Sequence, residues 1–190
     1  LHQLLTEEKW TRATLSTFTA NNFRELDEIL ETGRSADSET EILEICEAHL
    51  EHAGNSIVAL YVSGLVALSR RIVDDSNLVI LVNIFVDNSK WNIVEYLCER
   101  ILKYGENKFA LRTLADSYVN KNEEEKSFDV LERLIKVDLE DADSAKVLAD
   151  HRLMKDDLEG ALEYYKKALH RYINRRSYTH IKDTWDTVIE

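Results

Sequence analysis

Along most of the chain apolar residues recur at three- and four-residue intervals, the spacing that gathers them on one stripe of a helix turning every 3.6 residues. Polar side chains able to cap a helix stand ahead of several of these stretches. Asn22, Ser38, Asn122 and Asp156 are each followed three positions later by a glutamate (Glu25, Glu41, Glu125, Glu159), and Thr6 precedes Glu7 and Glu8. Gly33, Gly54 and Gly105 lie just past periodic segments, where a left-handed stop is expected. These signals predict eleven short helices, near 7–19, 23–32, 39–52, 56–71, 76–86, 90–104, 107–120, 123–138, 142–154, 157–172 and 177–190. Leu78 to Val86 (LVILVNIFV) has the β-branched content of a buried strand. No second run of that kind exists to pair with it, so a helix is expected there as well.

The second half of the chain repeats. Leu114-Ala115-Asp116 returns as Leu148-Ala149-Asp150 after 34 residues, and at the same spacing Ser127 matches Ala161, Leu131 matches Tyr165 and Leu134 matches Ala168. Upstream, Cys98-Glu99-Arg100-Ile101-Leu102-Lys103 parallels Leu131-Glu132-Arg133-Leu134-Ile135-Lys136 at 33 residues, with Leu81-Val82 standing where Leu114-Ala115 stands later. Small or apolar residues thus recur where two helices of a hairpin must meet. The pattern resembles the tetratricopeptide repeat, most closely over 142–175 and 108–141 and more loosely over 75–107. Leu148, Ala149, Ala161, Tyr165 and Ala168 fall at the packing positions of that family, as do Leu114, Ala115, Tyr118 and Ser127. Leu134 replaces a small residue, Arg152 replaces a tyrosine, and Leu139 and Ile173 stand where the family places proline, so the repeats are degenerate.

The expected architecture is therefore all-α, an array of antiparallel helical hairpins (a tetratricopeptide-like solenoid) with an irregular helical N-terminal cap. Residues 1–37 form the cap, 38–74 an irregular helical segment, 75–175 the repeats, and 176–190 a terminal helix continuing into a further region. A 52-residue echo, Cys46-Glu47-Ala48-His49-Leu50 against Cys98-Glu99-Arg100-Ile101-Leu102, marks the break in phase upstream. Resemblance to the repeat family implies a groove lined by the first helix of each hairpin. Phe109, Arg112, Asp116, Val119 and Asn120 would face it beside Asp143, Lys146, Asp150 and Leu153. Asp116 and Asp150 stand where a captured C-terminal carboxylate would be repelled, which disfavours the carboxylate-clamp type of groove.

Composition narrows the function. The 190 residues are 44% hydrophobic and 32% charged, with no proline and five glycines, which suits packed helices and disfavours loop-rich β folds. A formal charge of −12 argues against nucleic-acid binding by the chain as a whole. Two dispersed cysteines, Cys46 and Cys98, cannot build a disulfide framework and fit a reducing cytoplasm. The longest apolar run, Ile57 to Leu68, is too short to span a bilayer, and no secretory signal pattern opens the chain. Leu1 in place of Met suggests a piece of a longer protein.

No Gly-rich phosphate loop, Walker lysine, nucleophile elbow or zinc-helix motif is present, so neither cofactor nor metal nor catalytic residue is expected. Cys46, His49 and His52 fall around one helix rather than on one face, and Cys98 lacks a neighbouring His and acid. Glu123-Glu124-Glu125 suits a helix N-terminus better than a metal. The informative charge feature is 166–182, which holds six cations and no carboxylate. Lys167, Arg171 and Arg175 share a helical stripe, with Arg176 beside them, and Arg112 and Lys146 are further candidate partner-binding cations. Such a stripe suits an acidic protein surface, a phosphate, or plain solvation of a helix C-terminus. Trp10, Trp91 and Trp185 sit at apolar helical spacings and are expected in the core.

The opening segment, Leu5-Thr6-Glu7-Glu8-Lys9-Trp10-Thr11-Arg12-Ala13-Thr14-Leu15 with Asn21-Asn22-Phe23 and Leu26-Asp27, resembles the start of the long N-terminal helical extension on spirochaetal Gre-type transcription elongation factors. That resemblance implies a helical arm on a factor that acts with RNA polymerase. The expected function is a non-catalytic protein-interaction or positioning module of a larger cytoplasmic protein, with a protein partner, RNA polymerase by resemblance, ahead of nucleic acid and with no membrane. A general tetratricopeptide-type peptide-binding adaptor is the alternative, and an enzyme would require an acid-lined pocket.

Overall fold

In the computed structural model the described residues are 1–6, 12–33, 39–70 and 76–189. Every regular element among them is helical: α1 (His2–Thr6), a 3₁₀ turn (Arg12–Thr17), α2 (Ala20–Gly33), α3 (Glu39–His52), α4 (Ile57–Ser69), α5 (Ser76–Asp87), α6 (Trp91–Leu102), α7 (Lys108–Asn120), α8 (Glu124–Val137), α9 (Ala142–Met154), α10 (Leu158–Asn174) and α11 (Tyr178–Ile189). The chain divides into two compact units, Leu1–Gly105 and Glu106–Glu190.

In the first unit α4 is central. Its residues from Ile57 to Ala67 are all buried, which explains why its sequence is apolar on every side rather than on one stripe. Helices α1, α3 and α5 pack on it, α6 packs on α5, and α2 on α6. Gly64 permits the closest approach, since a Cβ there would lie 2.3 Å from Leu78 Cγ of α5. Phe23 of α2 fills the middle, edge-on to Tyr61 at 5.1 Å and Phe85 at 5.5 Å between ring centroids. Burial pushes the Cys46 thiol up to about 11 and the Cys98 thiol to about 12, so both cysteines serve as small core residues.

The second unit consists of the hairpins α7/α8 and α9/α10 with α11 packed against α10. The starts of α7 and α9, and of α8 and α10, are each 34 residues apart, the period expected of tetratricopeptide-like hairpins. Ala142, Ala145 and Leu148 of α9 meet Ala168 and Tyr172 of α10, while Ala149, Ala161 and Tyr165 form a second cluster. Small residues let the helix axes close, and the tyrosines fill what remains.

Four inter-helix turns share one construction. Ser89, Asn122, Asp156 and Arg176 have φ between 55° and 60°. The amide of each bonds a carbonyl three residues back (Val86, Val119, Leu153, Ile173), and the next amide bonds one five back (Phe85, Tyr118, Arg152, Tyr172), at 2.8–3.0 Å. This is the paired-bond helix stop that usually carries glycine. Four non-glycine residues carry it here, while the glycines mark other helix ends as expected: Gly33 closes α2, Gly54 lies just past α3, and Gly105, just past α6, is left-handed with φ 139°.

The same turns correct two expected caps, and the start of α2 corrects a third. Asn122 and Asp156 are the left-handed residues, and it is Asp157 that caps α10, accepting from the Gly160 amide at 3.0 Å. A Cβ at Gly160 would come within 2.3 Å of the Asp157 carboxylate. Asn22 lies inside α2 and accepts the Thr19 amide at 2.9 Å, so the helix begins three residues earlier than expected. Ser38 and Trp10 lie outside the described residues. So does part of the helix expected over 7–19, whose described portion is the 3₁₀ turn rather than α-helix. Thr6 ends α1, its hydroxyl donating to the Gln3 carbonyl. Trp185 is 54% exposed rather than core, because Ile181, Thr184 and Val188 form the face of α11 that packs inward.

Candidate binding groove

Within the second unit α7, α8 and α9 enclose an open groove of about 870 Å³. Arg112, Ala115, Asp116 and Val119 come from α7, Ser127, Phe128 and Leu131 from α8, and Ser144 and Val147 from α9. The helical period dictates this set, since residues three and four apart on α7 present one stripe to one side. Val119 and Val147 leave 52% and 44% of their surfaces exposed, an apolar lining open to solvent.

The turn between α8 and α9 supplies the rim, and it is tightly held. Asp141 caps α9, accepting the Ser144 amide at 2.9 Å and its hydroxyl at 2.7 Å. Buried Arg171 of α10 donates to the carbonyls of Asp141 at 2.8 Å and Ile135 at 2.7 Å. One guanidinium thereby ties the end of α8 to the start of α9. Arg112 reaches the same turn, 3.1 Å from Asp138 and 3.2 Å from Asp141, and Lys108 lies 3.5 Å from Asp138. Burial pushes the Asp138 carboxyl up, but the Glu140 amide, Arg112 and Lys108 together hold it below its ordinary value. Arg175 sits 3.3 Å from Asp143, whose carboxyl is held low by the Tyr172 hydroxyl at 2.7 Å and by Arg175.

Three cations and six carboxylates line the groove, and each cation is already matched to a groove aspartate. Asp116, Glu124 and Glu140 form no ion pair among the described residues. The protein packed around Asp116 raises its carboxyl above the usual range, with Arg112 opposing.

The structure disperses the cations expected to bind a partner. Arg112 and Arg175 lie in the groove but are neutralised there. Arg171 is a correction: its guanidinium is buried and spent on backbone carbonyls, so it cannot share an exposed stripe with Lys167 and Arg175. Lys167 lies over the Tyr164 ring at 5.0 Å, Lys146 pairs with Asp150 at 2.9 Å outside the groove, and Arg176 is exposed at the left-handed position of its turn. Of the residues placed at the groove by resemblance, Arg112, Asp116, Val119 and Asp143 line it. Phe109, Asn120, Lys146, Asp150 and Leu153 do not. The expectation omitted Phe128, Asp138, Asp141 and Val147. Asn107 and Asp141, which cap α7 and α9 from positions 34 residues apart, were the legible signal for the rim.

The first unit holds a different polar cluster. Asp27 is buried and accepts from Tyr61 at 2.6 Å, from Tyr96, and from Arg100 at 3.3 Å. Burial and the Asp27 hydrogen bond raise both phenols above their ordinary range. This arrangement ties α2 to α4 and α6. Among the described residues no group of three His, Cys, Asp or Glu could hold a metal ion, and no helix is long and apolar enough to cross a membrane.

No family model matches the chain. It is 44% identical over 175 residues to a protein of Treponema pallidum named for GreA-associated domains, a match covering 92% of the chain and 26% of that protein. It is 33% identical over 189 residues to a transcription elongation factor GreA of Borreliella burgdorferi, covering 100% of the chain and 21% of that protein. The chain thus spans about a quarter of the length of the curated relatives it matches. A solved structure, MamA RS-1 ArsTM double mutant, aligns with a TM-score of 0.46 and 16% identity, over 82% of this chain and 96% of that one.

Proposed function

We propose that the chain is a non-catalytic protein-interaction and positioning module of a larger cytoplasmic Gre-type transcription elongation factor, with RNA polymerase as its partner. The observation that carries this reading is the extent of the similarity, which runs over 92% and 100% of the chain in two proteins named for GreA. The open groove of the second unit supports the interaction half of the reading, because a preformed surface need not be ordered when a partner arrives.

Purified RNA polymerase from the source organism, passed over the immobilised 190-residue chain, tests this directly. Saturable binding that free chain competes away is expected. Failure to bind at micromolar polymerase contradicts the polymerase assignment. A chain that ignores polymerase but retains a peptide ligand is instead a general peptide-binding adaptor, a reading favoured by the groove lying wholly within one unit.

A further inference from the structure

We infer that the groove between α7, α8 and α9 takes a short basic segment of a protein partner, one carrying lysine or arginine beside an apolar side chain. This rests on the interaction half of the function proposed above and is independent of whether the partner is polymerase.

Charge decides the class of ligand. Lys108, Arg112 and Arg175 are each held within 3.5 Å of a groove aspartate, so they offer no unmatched positive charge to an acidic ligand. What remains is Asp116, Glu124 and Glu140. An acidic peptide or a phosphate would have to break internal pairs and face these carboxylates, whereas a basic segment meets them with every internal pair intact. Shape decides the size. A volume of about 870 Å³ lies in the range of pockets that enclose small ligands, enough for a few side chains and too little for a folded domain. Val119 and Val147 add an apolar strip that a bare polyamine would leave wet, so a peptide with both characters uses the whole lining.

The probe is a fluorescein-labelled decapeptide of lysine with two central leucines, followed by anisotropy with the full chain, beside the same peptide carrying glutamate for lysine. Three groove carboxylates are neutralised together (Asp116→Asn, Glu124→Gln, Glu140→Gln), and a control neutralises three exposed carboxylates outside the groove (Glu159→Gln, Glu163→Gln, Asp186→Asn). The lysine peptide should bind the unmodified and control chains alike and about tenfold more weakly to the groove variant, as expected for loss of three near-surface charge contacts. Its salt dependence should also flatten in the groove variant. The glutamate peptide should not bind. Equal weakening in both variants would show diffuse attraction to an acidic chain and overturn the assignment. So would tighter binding of the glutamate peptide, or displacement of the lysine peptide by an equal concentration of spermine. A chain that binds the lysine peptide but not polymerase keeps this inference and loses only the polymerase assignment.

Discussion

Two buried charged side chains do opposite kinds of work in the two units. Asp27 gathers two phenols and a guanidinium around one carboxylate, so its removal strands three donors at once. Asp27→Ala should cost about 3 kcal/mol in urea unfolding followed by circular dichroism, whereas Tyr96→Phe, which removes one donor cleanly, should cost about 1 kcal/mol. Equal effects would mean that the cluster does not act through its acceptor. Arg171 is the reverse case, a cation that satisfies two backbone carbonyls. Arg171→Met keeps the stem and removes the donors, and should cost about 2 kcal/mol by the same measurement. An unchanged midpoint would return Arg171 to the role of an accessible cation. Sequence could not separate Arg171 from Lys167 or Arg175, because a helical stripe shows which residues share a side and not how far that side sinks beneath its neighbours.

At the scale of elements, nearly every helix from α3 onward was legible, because apolar spacing over a dozen residues is a strong signal and small residues at 34-residue intervals fixed the hairpins. The errors concentrate at ends. The caps expected at Asn122 and Asp156 were misplaced by one position because asparagine and aspartate serve both as caps and as left-handed stops, and sequence alone does not choose between the two. These turns give a direct test. Arg176 pays a steric penalty at φ 55° that glycine would not. Arg176→Gly should therefore raise stability by about 0.5–1 kcal/mol in thermal or urea melts, while Arg176→Val should lower it by about 1–2 kcal/mol. Asn122→Gly should change little, since asparagine already tolerates that conformation. A destabilised Arg176→Gly would show that the arginine side chain contributes more than its backbone costs.

For the molecule as a whole, composition announced packed helices and an acidic chain, and both hold. The groove was only half legible: the repeat placed Arg112, Asp116, Val119 and Asp143 on it, but its rim comes from an inter-helix turn in which Asp141, the counterpart of Asn107, carries the 34-residue period and Asp138 does not. Pairing across that turn bears on one of the roles open to these cations, contact with an acidic partner. After Arg112 and Arg175 are matched, the charge left over in the groove is negative. On the function proposed above, the chain engages its partner through this surface. Hydrogen–deuterium exchange on the 190-residue chain, alone and with RNA polymerase from the source organism, tests it most directly. Slower exchange at the exposed ends of α7 and α9 and in the 138–141 turn is predicted. Protection confined to the outer side of α10, around Lys166 and His170, would contradict it, and no protection at all with polymerase in excess would contradict polymerase as the partner.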